Sequence, residues 1–546
     1  MNKKLFWILP CIAAVIAILF FAGRHFIFNK VKDALTEKLE SLKEEGIFIQ
    51  FDSLNFDPWK GHLSAQDLSI SVGMDSAHLV LQGSANQLIV DGIEIIPLII
   101  RKSLTINRIL LKDPTLIYSK AFQQPVHKKG DQTKEKKKLR HVAISNITMS
   151  NASFLLRDSL KNDTTVSINM DLLVRHLELD QEEDSLVLKK ADLSFSPVDI
   201  ITPNAFYRYS IQKMSWSTED KSFTIDSLKV IPLYDRSTFM KKAGEQTSRM
   251  EALVPHLLIE GLAISGKRQM SIAAEKATVN FTLHVFRDKR YPFLKKTVAE
   301  MPMEFLQKLP FQLSVDTIKI KNSFVKYEEF PEKGDSTGYV FFDKMNSTIV
   351  HLHNKAVEKE DVTMRTTALF MGKGKLDARF VFPSDTTKAY TTTGSLKDFP
   401  LTLVNEILVP SFQTRIESGI MTDFNFNFIY NKTRSDGNVE LNYNELKIIS
   451  MKKDKNDKTI ISKFKTAVIN LFVLKRNSEQ TESGDKKTGT ILYYRNPRRA
   501  IFHFWWKSLF SGLVTAYKLD GLVPDLKDHG KNISSEIKDK AKERKE

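Results

Sequence analysis

The sequence predicts a mainly β protein: an elongated, curved, repetitive antiparallel sheet, preceded by an N-terminal transmembrane helix and closed by a few short capping helices. Three observations predict this class. Apolar residues alternate with a period near 2 from Ile47 to Val473. A short apolar unit recurs along that stretch. Residues 5–21 form an uninterrupted run without charge.

That run comes first in the chain. A spanning helix needs roughly twenty apolar positions at about 1.5 Å rise each, and residues 5–23 just meet this length. The basic start, Lys3 and Lys4, also suits a secretory signal peptide. The cleavage site such a peptide needs is missing, because the core runs out through Phe20, Phe21, Ala22, Gly23 and Arg24 with no small-residue step. Residues 1–30 therefore read as an uncleaved membrane anchor.

Within residues 31–124, the first segment is helical in spacing. Val31, Ala34, Leu35, Leu39 and Leu42 fall on one face, charged residues lie between them, and Gly46 follows. This amphipathic helix either lies on the membrane surface or caps the open end of the first sheet. At Ile47 the period changes to 2, the spacing that puts alternate residues on opposite faces of a strand.

The recurring unit has an apolar residue, two polar ones, and then apolar residues in alternation. It occurs at Phe51 to Phe56, Ala65 to Ile70, Ala85 to Val90, Ile106 to Leu111, Ile144 to Met149, Ile225 to Val230, Ile259 to Ile264 and Val315 to Ile320. Two successive polar residues shift the alternation by one place, which within a strand demands a bulge or tight turn. The same shift repeated gives one continuous curved sheet built by addition.

A basic linker covers 125–140, with its lysines between Lys128 and Lys138. The long β region covers 141–477, with a helical insertion near 293–309 through Leu294, Val298, Met301, Phe305 and Leu309, interrupted by Pro302. The clearest alternation sets Val279, Phe281, Leu283 and Val285 against Asn280, Thr282 and His284. A second sets Phe424, Phe426 and Phe428 against Asn425 and Asn427. Residues 478–520 end in an aromatic helical segment with Phe502, Phe504, Trp505, Trp506 and Phe510 beside Arg498 and Arg499. Rings with basic flanks suit a membrane interface, where one edge stays wet, and equally suit a cap on the sheet end. The charged tail is 521–546.

Composition limits the chemistry. Cys11, the sole cysteine, lies in the anchor, so the body offers no disulfide, thiol nucleophile or cysteine metal site. The net charge of +16 is spread out or sits in runs without interleaved aromatics, which argues against nucleic acid. The sequence contains no Gly-x-Ser-x-Gly elbow, His-Glu-x-x-His pair or phosphate loop, and no cofactor motif, so no catalytic or metal residue is assigned and an enzyme is not expected. His351 and His353 are read as a surface pair on one strand face. The tripeptides Asp52-Ser53-Leu54, Asp158-Ser159-Leu160, Asp184-Ser185-Leu186, Asp226-Ser227-Leu228 and Asp316-Thr317-Ile318 resemble a bacterial O-glycosylation acceptor, and turn chemistry explains them equally well.

The anchor, the amphipathic helix, the stretches Phe56 to Ile70 and Leu104 to Tyr118, and the aromatic segment after Pro497 together resemble the AsmA-like family of bacterial envelope proteins. The resemblance implies an inner-membrane anchor and a periplasmic body folded as a U-shaped β-groove (a β-taco), similar to bridge-like lipid transfer proteins. It further implies a part in phospholipid traffic and outer-membrane integrity. On that view Val279, Phe281, Leu283, Val285, Phe424, Phe426 and Phe428 line a dry track for acyl chains, and other envelope proteins are partners for hand-over. Ordinary sandwich core explains the same residues. The alternative function is a non-enzymatic scaffold or assembly factor for outer-membrane proteins.

Overall fold

The computed structural model describes residues 47–57, 60–73, 79–94, 97, 101–119, 140–158, 163–182, 185–201, 206–266, 269–355, 360–450 and 485–516. The anchor, the amphipathic helix, the lysine-rich stretch 128–138 and the charged tail lie outside these residues. Among the described residues no helix is long and apolar enough to cross a membrane. The chain is mainly β and divides into two units, Met1–Asp220 and Lys221–Glu546.

In the first unit, β1 (Ile47–Gln50) and β2 (Ser53–Asp57) both pair with β3 (His62–Gly73), which pairs with β4 (Leu79–Asp91). β4 in turn pairs with β5 (Ser103–Lys112) and β6 (Thr115–Ser119). The ladder continues through β7 (His141–Asp158), β8 (Asp163–Glu182), β9 (Ser185–Ile201) and β10 (Tyr207–Ser217). β5 and β6 run parallel to β7, so the ladder is mixed where a purely antiparallel one was expected. A parallel neighbour needs a long return connection, and the stretch between Ser119 and His141 supplies it. Both sides of the basic linker thus belong to the same unit.

The recurring unit aligns from strand to strand. Ile106 stands opposite Ile144 and Ile109 opposite Ile147, while Ala65 faces Leu88 and Leu68 faces Ala85. Ile106 and Ile109 are three residues apart, yet both are buried in the same core, at 1% and 2% exposure. The polar pair between them absorbs the change of face. In three units the second polar residue does so with a left-handed backbone: Asp67 (φ 48°), Ser227 (φ 54°) and Gly261 (φ 67°). Aligned shifts produce one apolar row, through Phe56, Leu63, Val90, Ile109, Ile147, Val174, Leu193 and Trp216.

The second unit starts with β11 (Ser222–Pro232), α1 (Arg236–Ala243), β12 (Ser248–Glu260), β13 (Ala263–Ser265) and β14 (Ser271–Asp288). Asp235 caps α1 by accepting from the Thr238 backbone N–H at 2.9 Å. The expected helical insertion is shorter than its periodicity suggests: α2 spans only Pro302–Gln307. Pro302 begins this helix instead of interrupting it, because a first-turn position needs no N–H donor. β14 pairs in parallel with β15 (Gln312–Phe330), and this segment is the return connection.

From β15 the ladder is antiparallel through β16 (Gly338–His353), β17 (Val362–Phe370), β18 (Gly374–Phe382) and β19 (Tyr390–Pro400). A 3-10 turn and α3 (Asn405–Phe412) lead to β20 (Thr414–Tyr430), β21 (Arg434–Ser450) and β22 (Asp485–Tyr494). Finally α4 (Ile501–Ala516) packs on β21 and β22.

Candidate functional site

Two sequence-distant sets of candidate residues share one face of the second unit. Cross-strand partners run from Val279 through Ile320, Ser347, Thr366, Ala378 and Gly394 to Phe426. Directly opposed residues project on the same side of a sheet. The Ser347 and Thr366 hydroxyls, hydrogen-bonded at 2.8 Å, fall in this row. A parallel row joins Ala277, Ile318, Ile349, Met364, Phe380 and Thr392 to Phe428.

The two ends of the face differ in cover. Val279, Phe281, Leu283 and Val285 are half-buried. Phe424, Phe426 and Phe428 are core side chains, at 7%, 7% and 1% exposure. The difference comes from what packs over them. Phe426 reaches across Gly394, where a methyl group would stand 2.4 Å from its ring. Phe428 continues an aromatic series into Tyr430, which meets Phe504 of α4 edge-on at 5.7 Å. Small residues along the row thus let large rings from β20 fill the space above it.

The aromatic candidates of α4 separate by helical position. Phe504 is buried, with Ser508 hydrogen-bonded to Ser435 of β21 at 2.8 Å. Trp505 packs on Phe380 at 4.7 Å between ring centroids. Phe502 and Trp506, four apart, are 74% and 56% exposed. Phe510 is half-buried and stacks near Trp506. One helix therefore caps the sheet and also presents an exposed aromatic edge.

A third face of α4 carries His503 and Lys507, and it meets a charged group that the sequence reading passed over. Arg287 is the next same-side residue of β14 after Val285. It lies opposite Ser248 and Glu329, and donates to the Ser248 hydroxyl at 2.8 Å. Glu329, 7% exposed, accepts from Lys289 Nζ at 2.7 Å and from the Tyr327 hydroxyl at 2.7 Å. Arg499 stacks on Phe293 at 3.5 Å and donates to Gln246 at 3.2 Å. Burial, and then the neighbouring Lys507 charge, hold the His503 imidazole down at about 3. Burial first, and Lys289 second, lower the Lys507 ammonium, while burial and Arg287 lower Arg499. Burial raises the Tyr327 phenol, and the Glu329 charge adds to that effect.

A signal for this cluster was present in the sequence. The alternation Val279, Phe281, Leu283, Val285 continues in the same period to Arg287, and His503 and Lys507 are one helical turn apart. Their convergence with Glu329 and Arg499 depends on parallel pairing of β14 with β15, which local pattern does not report.

On the opposite, polar face an open concavity of about 690 Å³ is lined by Arg365, Asp377, Arg379, Thr393, Ser395 and Asn425. Arg365 and Asp377 pair at 2.7 Å. The two histidines read as a surface pair differ in cover, and only one of them is at the surface. His351 takes φ 58°, is exposed and pairs with Glu360, whereas His353 is 2% exposed with its ring nitrogens 3.0 and 2.9 Å from the carbonyls of Lys355 and Glu360. Among the described residues no three His, Cys, Asp or Glu are grouped to hold a metal ion. Ser53 is exposed at the β1–β2 break, and Ser227 and Thr317 lie half-buried within β11 and β15. No protein-family model matches the chain, and no curated protein matches it at a significant level.

Proposed function

We propose that this is an AsmA-like protein, anchored in the bacterial inner membrane with its body in the periplasm, that binds or conducts phospholipid along the apolar face of its β ladder. In this reading it supports lipid homeostasis of the outer membrane. The observation that carries the reading is the single-faced row joining Val279 to Phe426, with half-buried apolar side chains at its β14 end. Acyl chains would bind there by burial of apolar area, worth about 25 cal/mol per Å², with no single-site chemistry. Phe281 and Leu283 are the lipid contacts in this reading, and Phe424, Phe426 and Phe428 line the far end of the same face.

A second reading, a non-enzymatic scaffold for outer-membrane proteins, draws on the filled state of the β20 to β22 face beneath α4. A photo-crosslinking residue at Phe281 in the full chain, in its native membrane, separates the two, with Asn280 on the other face as control. The lipid reading expects phospholipid adducts at 281 and none at 280. Adducts at neither, or at both equally, would sink it in favour of the scaffold.

A further inference from the structure

Where the apolar alternation of β14 ends, the same face becomes cationic. Four basic side chains, Arg287, Lys289, Arg499 and Lys507, gather around Glu329, the carboxylate that Lys289 and the Tyr327 hydroxyl engage. Arg287 Nε and His503 Nδ1 are buried without a hydrogen-bond partner. Among the described residues Lys507 has no ion pair. The four cations are half-buried, with the Lys289 side chain 40% exposed, and partly desolvated cations in excess of anions are unfavourable unless an anion joins them. The other nearby polar groups are already used: Ser248 accepts from Arg287, and Gln246 from Arg499.

We propose that Arg287, Lys289, Arg499 and Lys507 form a binding site for a phosphate-class oxyanion, with the unpartnered His503 ring as one wall. Guanidinium groups match phosphate oxygens two at a time, and ammonium groups add compact charge; a tetrahedral phosphate presents oxygens in more directions than a planar carboxylate and so fits donors converging from β14 and α4 better, with a monoester adding a second charge that a diester lacks. The site extends the lipid reading but stands without it. From Phe281 to Arg287 the strand advances roughly 20 Å at about 3.3 Å per residue, which exceeds the roughly 15 Å half-thickness of a bilayer core. A lipid lying on Phe281, Leu283 and Val285 would therefore bring its headgroup phosphate to Arg287. A free phosphate would reach the same donors from solvent.

The test uses the full-length protein in a nonionic detergent. Inorganic phosphate is titrated at constant ionic strength against chloride, and phosphatidylglycerol retention is measured against an uncharged diacylglycerol. Phosphate is expected to bind, and Lys507→Met and Arg287→Gln to weaken it at least tenfold. Glu329→Gln removes the one anion and is expected to tighten binding. Arg379→Gln, on the opposite face, is expected to change nothing. Lys507→Met is expected to fold, since it replaces a half-buried charge that has no ion pair among the described residues by a side chain of similar volume. Phosphate binding with no lipid retention supports the site for free phosphate and counts against the lipid reading. Diacylglycerol retained as well as phosphatidylglycerol, together with no phosphate binding in any variant, overturns the site and leaves the lipid reading standing. Binding that Arg379→Gln weakens as much as Lys507→Met also overturns it.

Discussion

Gly489 of β22 and Gly512 of α4 meet backbone to backbone: a methyl group on Gly489 would stand 2.0 Å from the Gly512 carbonyl oxygen. This contact sets how closely the final helix sits on the final strand, and Val439 and Ile491 fill the space around Gly512. Gly489→Ala must push the helix outward. Overpacking of this kind costs typically about 1–3 kcal/mol. The expected result is a lower urea midpoint and a shifted tryptophan emission from Trp505, and an unchanged midpoint would refute the packing described.

The two ends of the apolar face should respond differently to truncation. Phe428 is 1% exposed, so Phe428→Ala is expected to cost about 3–5 kcal/mol. Phe281 is half-buried, and Phe281→Ala should cost clearly less. Comparable losses in chemical denaturation would mean that β14 is covered as fully as β20.

Gln413 ends α3 in a left-handed conformation, φ 48°, with its N–H bonded to the Val409 carbonyl. An L-residue pays about 1–2 kcal/mol for that backbone, whereas glycine enters it freely but is also freer when unfolded. Gln413→Gly is expected to stabilise by about 0.5–1 kcal/mol, read as a higher urea midpoint. A lower midpoint would show that the Gln413 side chain matters more than its backbone.

Two acid transitions should be separable. Burial pushes the Glu328 carboxyl up, but hydrogen bonds from Arg236 at 2.6 and 2.9 Å outweigh it and leave the group below its ordinary value. Asp288 behaves alike: burial raises it and Arg290 brings it down further. A carboxyl lowered on folding contributes stability above its unfolded pKa, and that contribution disappears as pH falls through the folded value. Glu328→Gln should therefore flatten the loss of stability at the acid end of the carboxylate range.

His503 acts at milder acidity. Its imidazole is held from an ordinary 6.5 down to about 3, so the unfolded chain takes up the proton first and stability falls as pH drops from 6.5 toward 3. His503→Gln should remove that part of the slope. A urea-midpoint profile unchanged between pH 6.5 and 4.5 would show that His503 is solvated.

Much of the architecture was legible locally. Strand character, the shift at several of the polar pairs and a helix after Pro497 follow from period and bulge chemistry, which operate within a few residues. Asp67 and Ser227 sit at second polar positions of the recurring unit and take left-handed backbones there. The extent of the 293–309 helix was not legible, because Leu294 and Val298 have helical spacing but remain exposed, at 58% and 60%, outside the helix that forms. Spacing without a surface to pack on does not make a helix.

By itself the sequence determined which residues alternate, where the alternation slips, and that each strand has one apolar side. Only the tertiary structure decided that Val279 and Phe426 belong to one row, that β14 and β15 run parallel, and that Lys507 joins Arg287 around Glu329. Alternation is a property of neighbouring residues, set by backbone geometry. Register is a property of strands far apart in the chain, chosen by the burial of whole rows at once.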